Sequence, residues 1–379
     1  MGLGELVREI PDMWDLVKTK ADLLCMGIRP NAVAAEIFHR QNPCEDWKTG
    51  NVGVHIVLEE RSCVLVTMSH TFDNRSPYSI ERSSGQLTLF KNNKPVMGIE
   101  EVPMPIWYSK KTTTNTPMPT VFLHEGQSFL HQAYSGCDYH AIDKPCRFCG
   151  AGSVWRIGTP EEVGETVAVA VNENPSYQVC LGGGTRLPFS RNIEYFSNCA
   201  MQIRMRNSTV PIWVEMVPPE SDEDIARLVE SGVTSFGFNV EIWDDILRPE
   251  ICPGKGEITK AWYLNAMRKA TDLLGKNRVG SCLLVGLEPV ENSIEGAVAL
   301  ASIGCQPCLL PFKPWDKSIY WSKALCKPED LIKTSETAVN AMIEYGVVPA
   351  RNEGCLKCEG CTIDHDIYNM KNRKGGQIV

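Results

Sequence analysis

Residues Tyr177–Val217 read YQVCLGGGTRLPFSRNIEYFSNCAMQIRMRNSTVPIWVEMV. Tyr177–Leu181 is a short apolar run halted by Gly182-Gly183-Gly184, which marks a buried strand ending in a turn. Arg191–Arg206 has helix-type spacing, and Pro211–Val217 is a second apolar strand. Strand, helix and strand in that order predict parallel pairing through a crossover helix. The alternation extends both ways. Upstream, Ser128–Tyr134 predicts a first strand. Thr159-Pro-Glu-Glu162 is a capping box with proline at the first helical position, so a helix is expected from Pro160 to about Asn172. Downstream, Ser221 caps a helix with Ile225, Leu228 and Val229 on one face and Gly232 as its stop. Thr234–Glu241, Val279–Gly286 and Gln306–Phe312 read as strands; Glu257–Leu274, Glu291–Ile303 and Pro328 to about Tyr345 read as helices. Six such units are too few for an eight-fold barrel and enough for three-quarters of one. The expected fold class is α/β, a partial (β/α)6 TIM-type barrel with ligands at the C-terminal ends of its strands.

Three regions are expected: an N-terminal α+β domain over residues 1–112, the barrel over 121–345 and a Cys-rich extension over 346–379. The first has a helical start (Met13 to Ala35) and strand-like pieces, Val52–Leu58 and Val64–Met68. Val52–Leu58 alternates poorly and needs a partner surface. Ser109–Thr120, with two prolines, reads as a linker or surface crossover. The formal net charge is −8, and no basic stretch is interleaved with aromatics, so nucleic acid is not an expected partner. The start MGLGELVREIPDMW lacks the cationic and apolar blocks of a secretory leader, and no apolar run is long enough to span a bilayer. The expectation is a cytoplasmic protein, with no membrane partner. In that reducing compartment 16 Cys point to metal or redox chemistry rather than disulfides.

The cysteines gather first in GCDYHAIDKPCRFCG, where eight residues separate Cys137 from Cys146 and two separate Cys146 from Cys149. Three thiolates on one loop suit a soft metal or an iron–sulfur cluster. The spacing alone also admits a zinc loop with a distant fourth ligand such as His140. Position favours the cluster: the loop follows the first strand of a barrel and precedes a glycine-rich strand end.

Cys146-Arg-Phe148-Cys149, followed by Leu181-Gly-Gly-Gly184-Thr185, resembles the radical S-adenosylmethionine (SAM) superfamily over roughly Val121–Tyr345. The usual spacing has three residues between the first two Cys, and this chain has eight. The order of motifs is similar to the biotin synthase and lipoyl synthase-like branch. The run from TTTNTPMP to FLHEGQSFLHQAYSGC resembles biotin synthase-like radical SAM proteins of unassigned reaction. The resemblance implies a [4Fe–4S] cluster on Cys137, Cys146 and Cys149, one iron being left free to bind SAM. It implies that Phe148 packs near the adenine and that Gly182, Gly183, Gly184 and Thr185 receive the SAM ammonium. Glu215, Asn239 and Glu241 stand at strand ends where that branch holds the ribose and methionyl parts. Arg248 is the candidate for the SAM carboxylate, and Gly286 and Glu288 belong to the fifth-strand motif that lines the adenine pocket.

A second group, GCLKCEGCTIDHD, places Cys355, Cys358, Cys361 and His365 close to ferredoxin spacing, with His in the fourth position. An auxiliary iron–sulfur cluster is expected, with zinc as the alternative. Cys305-Gln-Pro-Cys308 has redox-pair spacing but leads into an apolar strand, so it reads as structural. Cys25, Cys44, Cys63, Cys180, Cys199, Cys252, Cys282 and Cys326 show no pairing logic.

The function implied by the resemblance is reductive cleavage of SAM to a 5′-deoxyadenosyl radical, which takes hydrogen from a small-molecule or carrier-bound substrate. An electron donor such as flavodoxin or ferredoxin would supply the reductant. Sulfur insertion, with the second cluster as sulfide donor, is the leading reaction. Its rival is radical rearrangement or C–C bond formation with a second cluster that survives. A zinc-binding scaffold is the reading from another class.

Overall fold

The computed structural model describes residues 13–43, 52–59, 62–68, 72, 75–83, 85–126, 128–133, 136–152, 154, 157–349, 354 and 358–373. The expected helical start is two helices, α1 (Met13–Met26) and α2 (Ala32–Gln41). Gly27 breaks it: φ is +58°, and a Cβ there would stand 2.6 Å from the Thr67 carbonyl oxygen. Past Pro30, Asn31 starts α2 by accepting the Ala34 N–H at 2.8 Å. Five antiparallel strands follow: β1 (Val52–Leu58), β2 (Ser62–Met68), β3 (Tyr78–Ser83), β4 (Gln86–Lys91) and β5 (Lys94–Glu101), in the order β2-β1-β5-β4-β3. The surface that β1 needs is supplied by β2 and β5, which flank it.

The crossover at Ser109–Thr120 is docked. Thr113 binds Glu165 through its backbone N–H (2.8 Å) and hydroxyl (2.6 Å), and the Thr114 and Thr116 hydroxyls both donate to Glu162 at 2.5 Å. It leads into β6 (Phe122–Glu125), a strand the sequence reading did not anticipate, which pairs antiparallel with β7 (Phe129–Gln132).

From β7 onward the alternation is as expected. A short α3 (Asp138–Ala141) lies in the Cys loop, and α4 (Pro160–Glu173) carries the full capping box at Thr159 and Glu162. Then come β8 (Gln178–Gly182), α5 (Ser190–Arg204), β9 (Ile212–Glu215), α6 (Asp222–Glu230), β10 (Ser235–Gly237), α7 (Leu247–Ile251), α8 (Pro253–Gly256), α9 (Lys260–Leu274), β11 (Val279–Val285), α10 (Val290–Ser302), β12 (Gln306–Pro311) and α11 (Pro328–Tyr345). Strands β7 to β12 are parallel and adjacent in chain order, so the sheet is the curled partial barrel expected, with β6 as an extra antiparallel edge. The fourth parallel strand is shorter than Thr234–Glu241: it ends at Gly237, and Glu241 rejoins the sheet through a single bridge to Leu283.

Between edges β12 and β6 lies the segment that ends in α12 (Asp364–Arg373). Leu309 on β12 donates its N–H to Asp364 at 3.1 Å, while at the other edge a Cβ on Gly126 would stand 3.2 Å from Cys358 Cα. Leu65 of β2 donates to the Gly360 carbonyl at 2.7 Å. The C-terminal Cys segment thus fills the open seam of the barrel and is itself covered by the N-terminal sheet. Among the described residues, no helix is long and apolar enough to cross a membrane.

Candidate cluster and cofactor site

The Cys loop is laced to the glycine-rich strand end. Thr185 N–H donates to Cys137 Sγ at 3.3 Å, and the Thr185 carbonyl accepts Asp138 N–H at 2.8 Å. Asp138 in turn accepts the Leu187 N–H at 2.8 Å. Cys149 N–H closes a turn on the Cys146 carbonyl at 3.0 Å, and Arg147 N–H is held by the Ile251 carbonyl at 2.8 Å. The three thiols perturb one another electrostatically. Burial pushes Cys137 up, and Cys149 up to about 12. Cys146 is drawn below the usual thiol range, first by the neighbouring Cys252 thiol and then by Lys255.

This donor set fits an iron–sulfur cluster. The sulfurs come from one loop, the Cys137 sulfur already receives a backbone N–H, and Cys149 opens onto a cavity. Among the described residues, no three His, Cys, Asp or Glu side chains gather tightly enough around one point to hold a metal ion. A cubane asks for something else, three sulfurs at separate corners around an open volume.

The cavity, ≈ 260 Å³, is lined by Phe148, Cys149, Leu284, Leu310, Pro311, Phe312, Lys313, Trp315 and Cys361. Phe148 also packs on Ile242, Ile251, Cys252 and Phe312. Gly182 ends β8 against Glu215, where a Cβ would stand 3.3 Å from the Glu215 Cβ; Gly183 and Gly184 lead out toward solvent and on to buried Thr185. Glu215 ends β9 and accepts the Trp213 indole N–H at 3.1 Å. Asn239 accepts the Cys282 N–H at 3.0 Å. Buried Glu241 sits at φ +69° and accepts from Lys255 Nζ at 2.6 Å. Arg248 is engaged elsewhere than expected: its guanidinium donates to the carbonyls of Ile258 (2.7 Å), Lys255 (3.0 Å) and Val240 (3.4 Å) and lies over the Tyr263 ring. Gly286 turns at φ +100° against Cys326. Glu288 accepts the backbone N–H groups of Trp243 (2.9 Å) and Asp244 (2.8 Å), so it braces the loop after β10. Burial pushes its carboxyl up.

Strand register divides the barrel faces. Val179, Leu181, Val214, Phe236 and Leu309 pack outward under the helices. The alternate positions, His131, Cys180, Trp213, Glu215, Cys282 and Cys308, lie on the other face, where the Cys pack as small apolar groups, Cys180 with Phe129 and Trp213 and Cys282 with Cys308. His131 Nδ1 lies 3.1 Å from Glu125 Oε1. Nothing in the local sequence singled out Glu125, Lys255, Cys252 or Lys313; tertiary packing brings them in.

In the second Cys group, Cys355 lies outside the described residues. Cys358 is buried with Phe129, Cys180 and Trp213, and Cys361 reaches the same cavity as Cys149. His365 is buried in the first turn of α12, with Nδ1 2.8 Å from Glu359 Oε1 but not aligned for a hydrogen bond.

Residues 132–301 match the Radical SAM superfamily. The chain carries a radical SAM domain. It is 23% identical over 265 residues, 63% of this chain, to the bacteriochlorophyllide c C-7(1)-hydroxylase of Chlorobaculum limnaeum. The match spans 66% of that relative, just under two thirds of its length. The crystal structure of methylornithine synthase (PylB) matches with a TM-score of 0.49 and 14% identity, covering 64% of this chain and 68% of that one. The radical SAM domain begins at the end of β7 and runs into α10, so it contains the Cys loop, the glycine-rich strand end and the β9 to β11 strand ends. The family implies a [4Fe–4S] cluster and SAM.

Proposed function

We propose that this chain is an enzyme that cleaves SAM reductively at a cluster on Cys137, Cys146 and Cys149 and functionalises a C–H bond of a small or carrier-bound molecule. The observation that carries this reading is the chamber between Cys149 and Cys361. When bound, the cluster and SAM supply a hydrogen-abstracting radical at the 5′ carbon of the nucleoside. The protein's part is placement and exclusion of water. Thr185 orients Cys137, the Gly182–Gly184 backbone offers carbonyls at the rim, and Phe148 gives an apolar face for an adenine. Leu284, Leu310, Phe312 and Trp315 give the chamber an apolar wall. A small electron carrier of the flavodoxin or ferredoxin type would reduce the cluster.

A metal centre on Cys355, Cys358 and Cys361 would face the same chamber, since Cys361 lines it. Sulfur insertion, with that centre giving up sulfide, is the first reaction this arrangement suggests; anchoring of the substrate by a surviving centre is the second. The test begins with anaerobically reconstituted protein, which should hold about four irons at the first site and convert SAM to 5′-deoxyadenosine under a strong reductant. A Cys146→Ala variant that cleaves SAM at the parental rate sinks the reading. Iron-free protein with stoichiometric zinc replaces it with the scaffold reading. Repeated turnover with the second centre's spectrum intact, and no sulfur in the product, removes sulfur insertion.

A further inference from the structure

Among the described residues, Lys20 and Arg248 are buried and Lys255 and Arg204 half-buried, and all four have partners. Lys20 meets Asp366 at 2.7 Å, Lys255 meets Glu241 at 2.6 Å, and Arg248 and Arg204 are wrapped by backbone carbonyls. Lys313, two residues past the end of β12, has no hydrogen-bond or ion-pair partner among the described residues, and it lines the chamber. Enclosure pulls its ammonium below the ordinary lysine range. Half-buried against an apolar wall, the ammonium has no counter-charge from the described residues, and an anion arriving in the chamber would supply one.

The chamber has two chemically distinct ends. Lys255 is the cation whose field reaches Cys137, Cys146 and Cys149. The field of Lys313 falls instead on Cys361 and Cys25, and on His55 of β1. Lys313 thus belongs to the end away from the glycine-rich rim. Between the two ends the walls are aromatic and aliphatic. A single point cation suits a single negative charge, whereas a phosphate dianion asks for more donors.

We propose that Lys313 is a substrate-binding residue and that the substrate is an amphipathic carboxylate. The acid group would pair with Lys313 and the apolar body would lie along Leu284, Leu310, Phe312 and Trp315. This rests on the chamber being the substrate site of the proposed reaction. Phe148 and Cys149 line the same ≈ 260 Å³ cavity, so the substrate shares it with SAM and only its Lys313 end is open to the acid.

Octanoate and octanamide are matched probes that differ in charge. Calorimetric titration of the full-length protein should give octanoate about tenfold tighter binding than octanamide. Lys313→Met should abolish that preference and leave octanamide binding and SAM binding unchanged. Lys313→Arg should keep the preference. The proposal falls if the parent binds the two alike or binds neither, or if Lys313→Met retains the preference. It falls too if Lys313→Met weakens SAM instead of octanoate, because the lysine then serves the SAM carboxylate. If Lys313→Met loses octanamide as well, its chamber has collapsed and Lys313→Arg decides. Cleavage of SAM is read separately. A parent that prefers octanoate but makes no 5′-deoxyadenosine overturns the reaction and keeps the site. A parent that cleaves SAM without the preference does the reverse.

Discussion

Lys20 of α1 and Asp366 of α12, 346 positions apart, form a buried ion pair at 2.7 Å, and Ser62 of β2 bonds to both, at 3.0 Å from Lys20 and 2.7 Å from Asp366. Burial works against the ammonium, yet Asp366 holds it above the ordinary lysine range. Its contribution is therefore full below that range and is lost only as pH climbs through the raised value. Lys20→Met should destabilise the protein by about 3–5 kcal/mol, because it strands a carboxylate. The Lys20→Met/Asp366→Leu double variant should recover most of that loss. Urea unfolding of the parent and the two variants checks it; equal losses in the single and double variants would show that the stranded carboxylate is not the cause.

His124 gives the protein an acid-side dependence. Burial holds its imidazole down at about 4, against an ordinary 6.5, with the Tyr177 hydroxyl 2.9 Å from Nδ1. The folded state keeps the ring neutral while the unfolded chain takes up a proton. Stability is thus complete above about 6.5 and declines as pH falls toward 4, by up to about 3 kcal/mol. Thermal unfolding followed between those values should show the slope, and His124→Gln should flatten it.

Gly254 lets α8 lie against the Cys loop. A Cβ there would stand 2.2 Å from the ring of Tyr139, which lies between Cys137 and Cys146. Gly254→Ala should cost about 1–3 kcal/mol of stability and lower the iron bound after reconstitution. Gly275→Ala, strained by its φ of +92° but with a Cβ that meets nothing within 4 Å, is the control for iron content at reduced stability. Parental iron in Gly254→Ala would mean that the loop tolerates the shift.

The docked crossover should resist protease. Lys111 lies in a bridge to Pro117, beside threonines held by Glu162 and Glu165. Native protein should give no fragment ending near Lys111 under brief trypsin treatment. The Glu162→Gln/Glu165→Gln variant should be cut there several times faster. Rapid release of a stable barrel from the parent would establish a free linker instead.

Local signals carried most of the barrel into the sequence reading. The capping box at Thr159 and the stop at Gly232 act within one helical turn, and the apolar strands from Gln178 to Pro311 are buried on both faces, so they read as runs. Strand β10 was overestimated because Phe238 and Val240 are apolar for a different reason: they are buried beyond the point where pairing stops. Strand β6 was missed because FLHE is short and alternates with charge. The candidate site could be nominated from spacing where its chemistry is Cys and Gly. The role of Arg248 was not legible, since a guanidinium that organises carbonyls and one that awaits a carboxylate look alike in a sequence. Lys313 was not, because only the fold shows that it lines the cavity with no hydrogen-bond or ion-pair partner among the described residues.

The seam between β6 and β12 is filled by residues translated after every strand they touch. Until that segment emerges from the ribosome, the inner face of the sheet has no cover on that side. The two edges are therefore tied to each other, and to the first helix, only when Asp364 reaches Leu309 and Asp366 reaches Lys20.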